Sequence, residues 1–173
     1  MHDSWEGVAA WVLDRASGDA VELAHTLGLD VVAVPNQRAA GTLIGNTIAV
    51  RASLAPAYRE HAIAHELGHW ALRQTRTDDS EAGADYVAAA LLMPWREVRR
   101  AHDWRDLLTG RCVTETSALL RAGEVQATPV AVVTPHAVYV RGPEDWQWPT
   151  ADELRRASRA WPEIARKRRA YWF

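Results

Sequence analysis

The stretch "HELGH", from His65 to His69, sets two imidazoles four residues apart with a carboxylate beside the first. In a helix this spacing puts both rings on one face, with their Cβ atoms about 5–6 Å apart. Two nitrogens so placed can converge on one ion, and zinc takes nitrogen ligands at roughly 2.0–2.1 Å. Glu66 follows His65 by one residue, so it points about 100° away around the axis. It is poorly placed there as a ligand and well placed to take a proton from water, as a general base must. Gly68 leaves one side of the helix bare, so another backbone or side chain can approach closely. The competing reading makes these ordinary polar residues of a helix. A catalytic zinc site needs more than they supply: a third protein ligand and an open position.

The segment "EAGADYVAAALLMP" offers that ligand. If it forms a helix antiparallel to the first across the polar loop "TRTDDS", Glu81 returns to the level of His69. Asp85 shares the face of Glu81 and suits a hydrogen bond to a ligand histidine, which would fix the tautomer of that ring. Glu81 has a second reading, as the N3 residue of a capping box that starts at Asp78. Asp78 and Asp79 are rival ligands, but caps or solvated charges account for them. His61 extends the row of His65 and His69. It stands eight residues from His69, about 12 Å of helical rise, too far to share its ion, and reads as a cleft-wall or surface residue. His25 and His102 read as plain polar residues, and His136 as a marginal candidate for facing an oxyanion. Leu72 and Thr75 stand where the extended metzincin pattern requires Gly and His.

Several elements must position these groups. "SWEGVAAWVLDRASGDAVELAHTLGLD" has helical periodicity that Gly28 stops. "VVAVP" reads as a short strand and "AAGTLIGNTIAVRASL" as a hairpin turning at "GN". Pro56 opens the helix of the histidines and Pro94 closes that of Glu81. "WREVRRAHDWRDLLTG" and "TETSALLRAGEV" read as short helices, "TPVAVVTPHAVYVRGP" as a second hairpin, and the tail as helical. This is an α+β pattern, with a small, mainly antiparallel sheet beside a helical bundle that carries the HELGH helix. Residues 1–125 form the expected core. Residues 126–173 form a hairpin and a basic, Trp-rich tail expected to pack on it.

Bulk properties set the boundaries. The chain has 173 residues, 48% of them hydrophobic and 24% charged, which suits a globular protein. A net charge of -2 argues against bulk nucleic-acid binding. The basic run Arg155, Arg156, Arg159, Arg166, Lys167, Arg168 and Arg169 reads first as a solvated helix face, and second as a contact for an acidic partner or nucleic acid. The lone cysteine, Cys112, permits no internal disulfide. The amino terminus lacks a basic region before its apolar stretch, and no run approaches the roughly 18 apolar residues of a membrane span. A cytoplasmic protein is expected.

"IAHELGHWAL", a short loop and "EAGADYVAAALLMP" together resemble the ImmA/IrrE family of metallopeptidases. The resemblance extends upstream through "REHAIAHELGH", "GTLIGNTIAVRASL" and "LGLDVVAV", more faintly downstream to "CVTETSALLRAGEV", and covers roughly residues 20 to 125. Val87 departs from the usual Phe, and Gly83 from a frequent second acid. The resemblance implies a gluzincin-like fold with zinc held by His65, His69 and Glu81, and Glu66 as general base. It implies a peptidase that cuts a DNA-binding regulator, commonly a helix-turn-helix repressor of a phage, a mobile element or a stress response. An alternative keeps the metal and the partner but not the reaction: a module that sequesters a regulator without cutting it. If the strand "TIAVR" edges the sheet near the cleft, an extended substrate could add to it.

Overall fold

The computed structural model describes residues 4–101, 104–108, 112–125, 130–133, 138–141, 150–160 and 170–172. The first helical stretch breaks in two. Gly18 takes φ of +121°, outside the range L-residues prefer, and separates α1 (Trp5–Leu13) from α2 (Ala20–Thr26). The break is written in "SGDAVE". The Asp19 side chain accepts from the Glu22 backbone N–H, and the Glu22 carboxylate accepts from that of Asp19, which makes a capping box.

The first sheet holds β1 (Asp30–Val34), β2 (Gly41–Ile44) and β3 (Thr47–Arg51) in the order β1-β3-β2. The expected hairpin is β2–β3, closed by Gly45 at φ +59° and Asn46. β1 runs parallel to β3, so this sheet is mixed rather than mainly antiparallel. The chain leaves β1, builds β2 on the far side, and returns to fill the place between them. "TIAVR" is therefore the central strand, and the two edges fall to β1 and β2.

The histidine helix is α3 (Pro56–Thr75), and the Glu81 helix is α4 (Glu81–Leu92). Ile63, Leu67 and Leu72 of α3 share one core with Ala84, Val87 and Leu91 of α4, Val8 and Val12 of α1, Leu23 of α2, and Ile48 and Val50 of β3. These elements belong to one compact unit, residues 1–94 with 110–114.

Residues 95–109 and 115–173 make the second unit. It contains α5 (Trp95–Val98), a 3-10 turn at Trp104–Leu108, α6 (Glu115–Val125), β4 (Val130–Val133), β5 (Val138–Arg141), α7 (Ala151–Ala160) and β6 (Ala170–Trp172). Its sheet, β5-β4-β6, is antiparallel throughout and includes the expected second hairpin. The tail is helical only in part, because its last strand pairs with β4. Inside this unit the fully buried Arg121 faces Glu124. His102, His136, Trp146, Trp148, Trp161 and the run Arg166 to Arg169 lie outside the described residues. No helix among the described residues is long and apolar enough to cross a membrane.

Glu60 of α3 accepts a hydrogen bond from the Ala20 backbone N–H at 3.1 Å, which ties the start of α2 to α3. Burial pushes its carboxyl above the ordinary 4.5, and the Ala20 N–H only partly offsets this. A carboxyl raised on folding stabilises below its unfolded value, and that contribution is lost as pH rises through the folded value. At neutral pH the penalised, ionised form is present. Glu60→Gln keeps an acceptor and removes the penalty. Its melting temperature should exceed that of the wild type at pH 7 and match it near pH 4, as calorimetric scans at the two pH values would show.

Candidate metal centre

The reversal between α3 and α4 sets the site. Arg76 ends α3 in the left-handed region at φ 57°, and the Thr77 N–H closes the turn on the Leu72 carbonyl at 2.9 Å. Four residues later α4 begins, with Ser80 as its N-cap accepting from the Gly83 N–H. Glu81 is therefore the first helical residue, not N3 of a box from Asp78. Its carboxylate is 84% exposed and turned toward the histidines.

Glu81 Oε2 lies 3.3 Å from His65 Nε2, and its Oε1 lies 3.5 Å from His69 Nε2. The two Nε2 atoms are 3.2 Å apart. Three ligands of one tetrahedral zinc would stand about 3.4 Å from one another, given bonds of 2.0–2.2 Å. The three separations lie near that value, the two from Glu81 measured to different oxygens of its carboxylate, and one ligand atom from each residue lies within 4.8 Å of the others, so the three residues are grouped as such an ion needs. The side chains of His65 and His69 are only 19% and 12% exposed, so the ring faces solvent mainly through Glu81.

Each histidine is oriented from behind. His65 Nδ1–H donates to Asp85 Oδ1 at 2.7 Å, the role expected of Asp85. His69 Nδ1–H donates to Asp79, which Arg73 Nε also holds through its other oxygen. Asp79 is thus not a spare loop charge. Nothing but the requirement that a ligand histidine find an acceptor could have singled it out. Asp78 is not part of the centre; it lines a separate groove with Trp5 and Tyr86. His25 is exposed on α2.

The electrostatics follow these contacts. Burial works against ionised Asp85, but the His61 and His65 imidazoles outweigh it and hold the carboxyl well below the usual range. Burial likewise opposes the charged form of His65, and the Asp85 hydrogen bond prevails, so its pKa is raised. Asp79 is lowered despite some desolvation, by His69 and Arg73.

Two glycines admit neighbours. A Cβ on Gly68 would meet the carbonyl oxygen of Ala84 at 2.8 Å and its Cα at 3.1 Å. A Cβ on Gly41 would meet Glu66 Cγ at 2.8 Å and Oε1 at 2.9 Å. Gly41, which the sequence does not distinguish from any other strand glycine, thus makes the room that Glu66 occupies beside β2. Gly83, where an acid is frequent in the family resembled, packs against Trp5 and Leu72, and a Cβ there would crowd Trp5 Nε1 at 3.0 Å and Leu72 Cδ1 at 3.2 Å.

These groups open into a cleft of about 570 Å³. β2 forms one wall through Gly41, Thr42 and Leu43, α3 the floor, and Leu54 and Tyr58 an apolar rim. His61, read from the sequence as a cleft-wall or surface residue, lines this cleft from α3.

A HELGH helix, a second helix returning a carboxylate, and an edge strand beside Glu66 are the parts of a metallopeptidase-type domain. Residues 20–115 match the IrrE N-terminal-like domain, a peptidase family, and the chain belongs to it. Among solved structures it is similar to a Mycobacterium tuberculosis transcriptional regulator, with a TM-score of 0.62 at 20% identity over 84% of this chain and 67% of that one. That likeness bears on the fold. No curated protein sequence matches the chain.

Gly68 yields a prediction. Alanine favours a helix over glycine by about 1 kcal/mol, but here its methyl would strike backbone, and overpacking costs typically 1–3 kcal/mol. The clash should dominate. Gly68→Ala should be less stable in urea titrations, and should bind metal more weakly as α4 moves away with Glu81 and Asp85.

Proposed function

We propose that this protein is a zinc-dependent endopeptidase that cuts a protein regulator, most plausibly a helix-turn-helix repressor of a mobile element or stress response. The observation that carries the reading is the ring of His65, His69 and Glu81, spaced for one tetrahedral ion, with Glu66 outside the ring and beside the cleft wall. Two imidazoles and one carboxylate suit zinc and leave a position open. Zinc held there supplies Lewis-acid activation of water and of a peptide carbonyl.

The side chains of this chain do the rest. Glu66 accepts the proton of the attacking water and delivers it to the departing amine. Asp85 and Asp79 keep the Nδ1 protons of His65 and His69 in place, which leaves both Nε2 lone pairs available to hold an ion. β2, as an edge strand, offers unpaired backbone groups to an extended peptide, the place first assigned to β3. That the substrate is a repressor is supported by the family resemblance. The solved neighbour is itself described as a transcriptional regulator.

His65→Ala or His69→Ala should lose tightly held zinc, measured by metal analysis after chelator treatment. Glu81→Gln should weaken zinc binding far more than Asp78→Asn. Asp85→Asn and Asp79→Asn should each weaken it by roughly 10–100-fold. If Asp78→Asn is the most damaging, the assignment of Glu81 fails.

Glu66→Gln should keep zinc and fold while cleavage of the co-expressed repressor falls by at least the roughly 10²–10⁴-fold of a positioned general base. Gly41→Ala should resemble it, retaining metal and losing turnover because its methyl takes the space of Glu66. Should wild type and Glu66→Gln both bind a partner tightly and leave it whole, the protein sequesters rather than cuts.

A further inference from the structure

Asp85 serves two histidines. His65 Nδ1 lies 2.7 Å from its Oδ1, a hydrogen bond, whereas His61 Nε2 lies 3.8 Å from the same oxygen. The second distance is too long for a hydrogen bond. It is not far from the spacing of about 3.4 Å expected of two ligands on one tetrahedral ion. His61, His65 and Asp85 form a second group whose ligand atoms lie within 4.8 Å of one another. The His61 and Asp85 side chains are 30% and 44% exposed, and both line the cleft, so an ion can reach them from solvent.

We propose that His61 and Asp85 form a second, weaker divalent-cation position beside the first, and that filling it draws Asp85 away from His65. The cation is of the kind that favours imidazole, zinc above all. This rests on the reading of His65, His69 and Glu81 as the first position.

Three features set the order of the two. The Nδ1 atoms of His65 and His69 each have a carboxylate acceptor. His61 Nδ1 is buried with no hydrogen-bond partner among the described residues. A ligand histidine without such an acceptor loses about 10–100-fold in affinity. Only one imidazole and one carboxylate are free to bind, because His65 Nε2 is committed to the first ion. Charge still favours the second ion. Glu66, Asp79, Glu81 and Asp85 outnumber the charges of Arg73 and one divalent ion by a single negative charge, and a concave site concentrates that field. A second cation would bring a consequence for the first. Once Asp85 turns to it, His65 loses the acceptor that orients its ring, so excess zinc acts against the centre it would load.

The test uses the full chain, stripped of metal and titrated with zinc chloride by calorimetry, with equilibrium dialysis and elemental analysis in parallel. Wild type should take two equivalents, the second at least tenfold weaker. His61→Gln and His61→Ala, each checked for fold by circular dichroism, should keep the tight equivalent and lose the weak one. His69→Ala should lose the tight one and keep the weak one. With cobalt(II) in place of zinc, the second equivalent should perturb the visible absorption of the first in wild type and not in His61→Gln. A single equivalent in wild type, unaffected by His61→Gln, overturns the second position and leaves the first standing. Two equivalents in both wild type and His61→Gln overturn it as well. A lone equivalent that vanishes in His61→Gln and survives in His69→Ala overturns both assignments.

Discussion

The centre depends on one close approach, that of Gly68 to the backbone of Ala84. The two histidines of the ring, His65 and His69, belong to α3, and its carboxylate, Glu81, belongs to α4 together with Asp85, which orients His65. Only where the two backbones nearly touch can a short acidic side chain reach imidazoles on the other helix. A side chain at 68 would separate the axes, and Asp85, with a single methylene, has little length to compensate. Gly68 is thus as much a part of the centre as the residues that form its ring. The small residues of α4, Ala84 and Ala88 among them, extend the contact along the buried face.

The turn between the helices divides the labour. Within Arg76 to Ser80 the chain leaves α3 in a left-handed residue, passes Asp79 beneath His69, and caps α4 with Ser80. A non-glycine residue in that backbone state costs about 1–3 kcal/mol, a cost offset by the packing of two helices. One histidine is oriented from the loop and the other from the helix, so the two rings are fixed by different parts of the chain. α1 lies outside the family match yet completes the arrangement. Its Val8 and Val12 are fully buried, and Glu6 accepts from the Tyr86 hydroxyl at 3.0 Å on the far side of α4.

What could be read from the sequence was periodic or paired. HELGH gave the paired imidazoles because four residues bring two rings to one face, and Glu81 was expected beside them because a second helix returning across the short loop brings it to their level. Asp85 followed from its spacing to Glu81. Asp79 could not be told from Asp78, because which of two neighbouring loop acids meets His69 depends on the path of the turn. Gly41 was equally silent, since its part lies in what β2 approaches and not in any local preference. The mixed sheet escaped notice because a hairpin does not reveal which of its strands a third will join. The break at Gly18 was visible in "SGDAVE", but continuous helical periodicity on either side masked it.

The exposed flank of β2 carries a liability as well as an opportunity. An open strand with free N–H and C=O groups is a template for any extended chain, including another copy of the same protein. Ile44, at the end of β2, is 65% exposed. Two features limit self-association along this flank. The strand is only four residues long, and the Thr42 hydroxyl donates to the Gly41 carbonyl at 2.6 Å, engaging one of the groups an incoming strand would seek. The flank is long enough to hold a few residues of a peptide and too short to propagate a sheet.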